Sequence, residues 1–149
     1  MSVVDVGAQV SFGGLLVGSH WDFGPTANQW NLAPKGASNQ KSGTGGVSYT
    51  IGPVVAGVQY MYNEHAGNWN QADSAFGTGK LMTEKGIAVG GTLTVAPGAY
   101  LFVDYLYGHR HQAGTDILSG AVSSAANGFV TTNNNVRSQA FFVGTMFRW

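Results

Sequence analysis

Period-two alternation runs along this chain in seven separate stretches, and it admits only strands with two unlike faces. Val4, Val6, Ala8, Val10 and Phe12 alternate with Asp5, Gly7, Gln9 and Ser11. Gly13-Gly14 then offers a two-residue turn. Leu15, Val17, Ser19, Trp21 and Phe23 follow, against Leu16, Gly18, His20 and Asp22. Val47, Tyr49 and Ile51 lead through Gly52-Pro53 to Ala56, Val58, Tyr60 and Tyr62. Ile87, Val89, Gly91, Leu93 and Val95 lead through Ala96-Pro97-Gly98 to Leu101, Val103, Tyr105 and Tyr107. Phe141, Val143, Thr145, Phe147 and Trp149 close the chain. The expectation is an all-β antiparallel meander of about seven strands. Each is close to the ~9–11 residues with which a tilted strand crosses a bilayer.

A soluble sandwich would bury one face and charge the other. Here only 9% of the 149 residues are Asp, Glu, Lys or Arg, against about 25% in soluble domains. The second face carries Asp5, Gln9, His20, Asp22, Gln59, Asn63, Thr92, Thr94, Asp104, Arg137, Gln139 and Arg148 in this reading, with glycines between. The first is aliphatic in its middle, with Phe12, Trp21, Phe23, Tyr60, Tyr62, Tyr105, Tyr107, Phe147 and Trp149 near strand ends. That pattern predicts a lipid-facing band with aromatic girdles around a wet interior, a transmembrane β-barrel. Val6, Val17, Val58, Val89, Leu93, Val103 and Val143 belong to the lipid side. Seven acids balance seven bases, so no basic field exists to hold nucleic acid. With no cysteine, disulfides, thiolate catalysis and cysteine zinc sites are excluded.

Connections alternate between short turns and long polar stretches at about 24–46, 64–82 and 108–135. Outer-membrane barrels keep short turns on the periplasmic side and long loops outside. The last strand therefore ends in the periplasm and the first begins at the outer surface. Complete bacterial barrels have an even number of strands. Seven is odd, and the first residues show no basic segment followed by an apolar one. The expectation is that 1–149 is the C-terminal part of a larger barrel. An eighth strand within a long loop would overturn that. The stretch 108–135 is the candidate, with Ile117, Leu118, Val122, Phe129 and Val130.

The ending Gln139-Ala-Phe-Phe-Val-Gly-Thr-Met-Phe-Arg-Trp149 resembles the terminal β-signal of outer-membrane barrels, through Phe141, Val143, Phe147 and Trp149. The stretches 49–60 and 96–111 resemble Gram-negative porins of the alphaproteobacterial general type, and the likeness covers nearly the whole chain. It implies a homotrimeric pore of roughly sixteen strands per subunit when full length. It also implies residence in the cell outer membrane among its lipids, with the barrel-assembly machinery recognising the final strand. The family's constriction loop comes from the N-terminal half, which this chain looks to lack.

Other chemistry is weaker. His109-Arg-His111 reads as a solvated pair at a strand-loop boundary, not a metal site. Gly77-Thr-Gly-Lys80 lacks the first glycine and the metal-binding hydroxyl of a phosphate loop. Ser19, His20 and Asp22 share one strand, but alternation points Ser19 away from the other two. A barrel-embedded hydrolase and a structural or adhesive barrel without a pore remain alternatives. The function expected is a non-enzymatic channel for passive diffusion of small hydrophilic solutes, without cofactor or metal. Asp5, Gln9, Gln59, Asn63, Thr92, Thr94, Asp104, Arg137 and Gln139 would line it. Asp5, Asp22 and Asp104 against Arg137 and Arg148 would give weak selectivity.

Overall fold

The alternating segments pair edge to edge in chain order. The computed structural model describes residues 3–25, 39–65, 82–112 and 135–148. They form one antiparallel sheet of seven strands in the order β1 to β7. These are β1 (Val4–Phe12), β2 (Leu15–Gly24), β3 (Gln40–Ile51), β4 (Val54–His65), β5 (Met82–Ala96), β6 (Ala99–Gln112) and β7 (Asn135–Phe147). Among the described residues β1 and β7 make no contact, so the sheet is open.

Directly opposed residues share a face, so the register sorts every side chain. One row runs Val10, Val17, Val47, Val58, Val89, Tyr105, Phe141; the next runs Phe12, Leu15, Tyr49, Ala56, Gly91, Val103, Val143. Among the described residues nothing covers this apolar face: Val10 is 68% exposed and Val143 71%. Among the described residues only Met82 and His65 are buried side chains of any size. The other face curls inward. Residues from six successive strands, β1 to β6, line a single hollow of about 690 Å³ on it, among them Gln9, His20, Thr44, Gln59, Thr92 and Asp104. The apolar face is therefore convex and the polar face concave.

Two long connections are shorter than their composition suggests. Residues 40–46, assigned by composition to a loop, are strand, paired with β2 and β4. They hold three glycines and no aliphatic side chain, so the alternation is silent there. Three contacts replace it. Ser42 Oγ donates to Asp22 Oδ1, Gln40 Nε2 donates to Asp22 Oδ2 at 3.0 Å, and the Trp21 indole lies across Gly43. Likewise 108–112 extends β6, opposite 82–86 and, through 108–111, 135–138. Ile117, Leu118, Val122, Phe129 and Val130 lie outside the described residues, as does the Gly77–Lys80 stretch.

The three tight turns lie at one end of the sheet but are not level. Leu15 pairs with Tyr49, yet β3 runs on to Ile51 before turning; Val54 pairs with Leu93, yet β5 runs on to Ala96. Each overhanging strand binds the turn it passes. Thr50 N–H donates to Gly14 O, Thr94 N–H to Pro53 O and Arg148 N–H to Gly98 O, all at 2.8 Å. Gly13 and Gly52 have φ of +56°, which with proline second at Gly52-Pro53 fits a type II′ turn. Pro97-Gly98 reverses the order, with φ +79° at Gly98, the pattern of a type II turn. That type fits strand twist poorly, and the register slips by a bulge between Thr94 and Ala96.

A methyl group at Gly14 would run into the carbonyl oxygen of Thr50. At Gly45 the nearest atom to such a methyl is 3.9 Å away. Gly14→Ala should therefore lower stability by about 1–3 kcal/mol, and Gly45→Ala should change it by less than about 0.5 kcal/mol. Urea unfolding followed by circular dichroism measures both. Equal midpoints for the two variants would mean the turn contact constrains nothing.

Candidate functional site

Among the described residues, polar side chains from most strands converge on the concave face. Asp5, Gln9, Gln59, Asn63, Thr92, Thr94 and Asp104 all belong to it by register, together with His20, Asp22 and Glu84. Glycine spacing makes room there. Gly90 stands directly opposite Asp104, whose carboxylate folds down over it; a methyl at Gly90 would collide with that carboxylate. Gly144 is opposite Phe102, whose ring would come within 2.5 Å of an added methyl. Gly7 faces His20 with more room, an added methyl lying 3.5 Å from the imidazole. Large side chains thus lie along the wall instead of standing into the hollow.

Two residues do not join them. Arg137 is opposite His109 and Gln139 opposite Tyr107, which puts both on the convex face with Phe141. Positions 137, 139 and 141 share one parity, so a strand cannot send 141 outward and 137 and 139 inward. Their polarity misleads because the convex face becomes polar beyond the end of its apolar band. Phe141, Val143 and Phe147 lie on that convex face, each at least 66% exposed. Trp149 lies outside the described residues. His109 and His111 are strand residues rather than loop residues. His109 Nε2 and His111 Nδ1 both donate to Asn135 Oδ1, at 3.1 and 3.0 Å.

Charges on the concave face are arranged in pairs near the long-connection end. His20 Nε2 meets Asp5 Oδ1 at 2.5 Å. Glu84 is the centre of a larger group, which the residue pattern did not reveal. Arg110 Nε and Nη2 donate to its Oε1 at 2.6 and 2.5 Å, and Asn63 Nδ2 donates to Oε2 at 3.0 Å. His65 Nε2 stands 3.6 Å from Oε2. Parity could have found both residues, since 84 matches 88, 90 and 92, and 110 matches 104. Composition hides both: Arg110 falls in the polar stretch 108–135, and Glu84 lies between the stretch 64–82 and the first alternating residue, Ile87. At the far end Arg148 lies over the Tyr100 ring, 5.7 Å from its centroid.

Glu84 lies above the apolar band: at its level the convex face carries Thr83, Lys85 and Glu64. The neighbouring His65 imidazole does most to lower its carboxyl, with the Asn63 amide and the Arg110 guanidinium adding to it. Against the opposing effect of burial they bring it to about 2. Among the described residues no group of three potential ligands could hold a metal ion. Ser19 faces the convex side, opposite Ala8 and Gly45, away from His20.

A carboxyl held low in the folded chain stabilises it above its unfolded value of 4.5, and that support is lost as pH falls towards 2. Wild type should exceed Glu84→Gln in stability near pH 7 by on the order of 1–3 kcal/mol. The gap should shrink between about pH 4.5 and 2. Urea midpoints of both proteins across that range measure it; a gap independent of pH would assign the loss to packing.

Comparison of the chain with protein-family models, curated proteins and solved structures finds no match. Its functional reading accordingly rests on the geometry of the two faces and on the residue patterns of the strands.

Proposed function

We propose that this chain forms part of the wall of a water-filled β-barrel channel in a cell outer membrane, passing small hydrophilic solutes by diffusion. One observation carries the reading: the apolar side chains face outward from the curve and the polar ones inward. Water-soluble sheets bury their apolar face, because that burial drives folding. Here the apolar face is exposed on every strand. Lipid as the outer solvent removes the contradiction, and the convex apolar spans (Val4–Phe12 on β1, 87–95 on β5, 99–107 on β6) match the reach of tilted strands. The resemblance of the ending and of 49–60 and 96–111 to porins points the same way.

In this reading the wall needs no moving part and no cofactor. Strand pairing satisfies the backbone where lipid offers no hydrogen bonds. Gln9, Gln59, Thr92 and Asp104 give lumen water its partners. Further strands of a larger barrel would cover the free edges of β1 and β7. With Arg137 on the outer face, Arg110 already bound to Glu84 and Arg148 left as the further cation at the turn end, Asp5, Asp22 and Asp104 leave the described wall acidic. Its selectivity therefore leans towards cations instead of balancing to none.

The chain has no cysteine, so single cysteines can report solvent at chosen positions. In bilayers a charged, membrane-impermeant thiol reagent should label Gln59→Cys and Thr92→Cys at least tenfold faster than Val58→Cys and Val89→Cys. Inverted rates would reverse the faces. Equal rates would mean that no lipid covers the convex side, and would overturn the reading.

A further inference from the structure

On the convex face two successive rungs of the register change abruptly in character. Tyr60, Ile87 and Tyr107 stand side by side on β4, β5 and β6. One rung nearer the long connections, Lys85, His109 and Arg137 stand side by side on β5, β6 and β7. The six side chains line a recess of about 370 Å³. Lys85 and Arg137 stand two strands apart with His109 between them, and no acid lies on either rung. Among the described residues the nearest acid on this face is Glu64, which accepts a hydrogen bond from Tyr62 at 2.9 Å and lies 3.8 Å from Lys41 Nζ. Lys85 Nζ lies 6.0 Å from the Tyr62 ring centroid. His109 donates to Asn135. Among the described residues Arg137 has no ion pair, and both it and Lys85 are exposed.

We infer that this recess binds the phosphate headgroup of a membrane lipid. Lys85 and Arg137 would hold the phosphate, with His109 between them. The acyl chains would lie down the apolar band from Ile87, Tyr60 and Tyr107 towards Val89, Val58 and Tyr105. The argument is charge complementarity at a fixed height. A free anion would gain from the cations alone, whereas the adjoining aromatic rung and apolar band suit only a ligand with a tail. Arginine forks match phosphate oxygens in a bidentate manner, and aromatic rings belong at the headgroup level. The inference rests on the membrane reading above.

The test is native mass spectrometry of the full chain in neutral detergent micelles, with phosphatidic acid, phosphatidylcholine and inorganic phosphate as probes. Phosphatidic acid should bind, phosphatidylcholine should bind at least tenfold more weakly, and millimolar inorganic phosphate should not displace the lipid. Lys85→Gln/Arg137→Gln should weaken phosphatidic acid about thirtyfold, as two surface cations at ~1 kcal/mol each would. Arg148→Gln, a charge lost on the other face, should leave it unchanged. Lys85→Arg/Arg137→Lys should keep binding within threefold, which separates charge loss from misfolding. Undiminished binding to the double glutamine variant overturns the site. So does displacement by inorganic phosphate, which would make it a free-anion site, or a dimer that this variant abolishes, which would make the occupant a second copy. A chain that enters micelles without preferring phosphatidic acid refutes the headgroup site alone; a folded monomer that needs no detergent refutes the membrane reading.

Discussion

Hydrogen bonding between neighbouring strands is what the rest of this structure depends on. A sheet with almost no buried apolar side chain gains little from a core of its own. Its order comes from the backbone ladder and from whatever covers its apolar face. The ladder is nearly complete within the sheet: even the turn carbonyls of Gly14, Pro53 and Gly98 are taken by the strand that overhangs them. Among the described residues it leaves open the outer edges of β1 and β7. An unpaired backbone group costs several kcal/mol in hydrocarbon, so two free edges and an apolar face cannot share one lipid environment unless the edges are covered. The proposed larger barrel answers both demands at once, by closing the edges and placing lipid outside.

Glycine does the same work on both faces. On the concave side Gly90 lets the Asp104 carboxylate lie flat, and Gly144 does so for the Phe102 ring; on the convex side Gly43 does so for the Trp21 indole. In each case the large residue and the glycine are direct register partners. A cross-strand ring recovers packing that a strand glycine lacks. Inside, the same device keeps the hollow wide. Outside, it keeps the convex surface smooth at the level of Trp21. A residue with a Cβ at any of these glycines would have to displace a neighbour that is already positioned by the opposite strand.

The seven strands and their three tight turns were legible because apolar side chains mark alternate places and glycine marks the reversals. Legibility failed where the marking stopped. Residues 40–46 carry no aliphatic side chain, so their strand is visible only through what Asp22 and Trp21 do to them. Glu84 and Arg110 sit past the point where alternation fades, and their pairing is a matter of register between β5 and β6. Arg137 and Gln139 are a different failure. Their chemistry matches the lumen, but position alone decides a face, and both share the parity of Phe141. Beyond the apolar band, polarity reports height and no longer reports side.

Height itself can be read in two independent ways, and they agree. The apolar residues of the convex face do not keep to one set of register rows. On β1 they begin at Val4, whereas on β7 the same row holds Asn135, and apolar residues start only at Phe141, opposite Tyr105. The band therefore slides towards the turn end on going from β1 to β7. The turns slide the same way, from Gly13-Gly14 to Gly52-Pro53 to Pro97-Gly98, each lower on the rows than the last. The first drift is written in side-chain hydrophobicity and the second in backbone register, and neither produces the other. A closed barrel requires both, because its strands tilt by roughly 35–45° from the axis and its rows must stagger to match. A flat sheet or an aligned sandwich has no need for an apolar band that crosses its own ladder diagonally. In the membrane reading proposed above, the shared direction of the two drifts sets the bilayer plane oblique to the strands. In the same reading the rung of Lys85, His109 and Arg137 stands at that plane's edge, while Val6 and Trp21, on the same rung, would lie within the apolar layer.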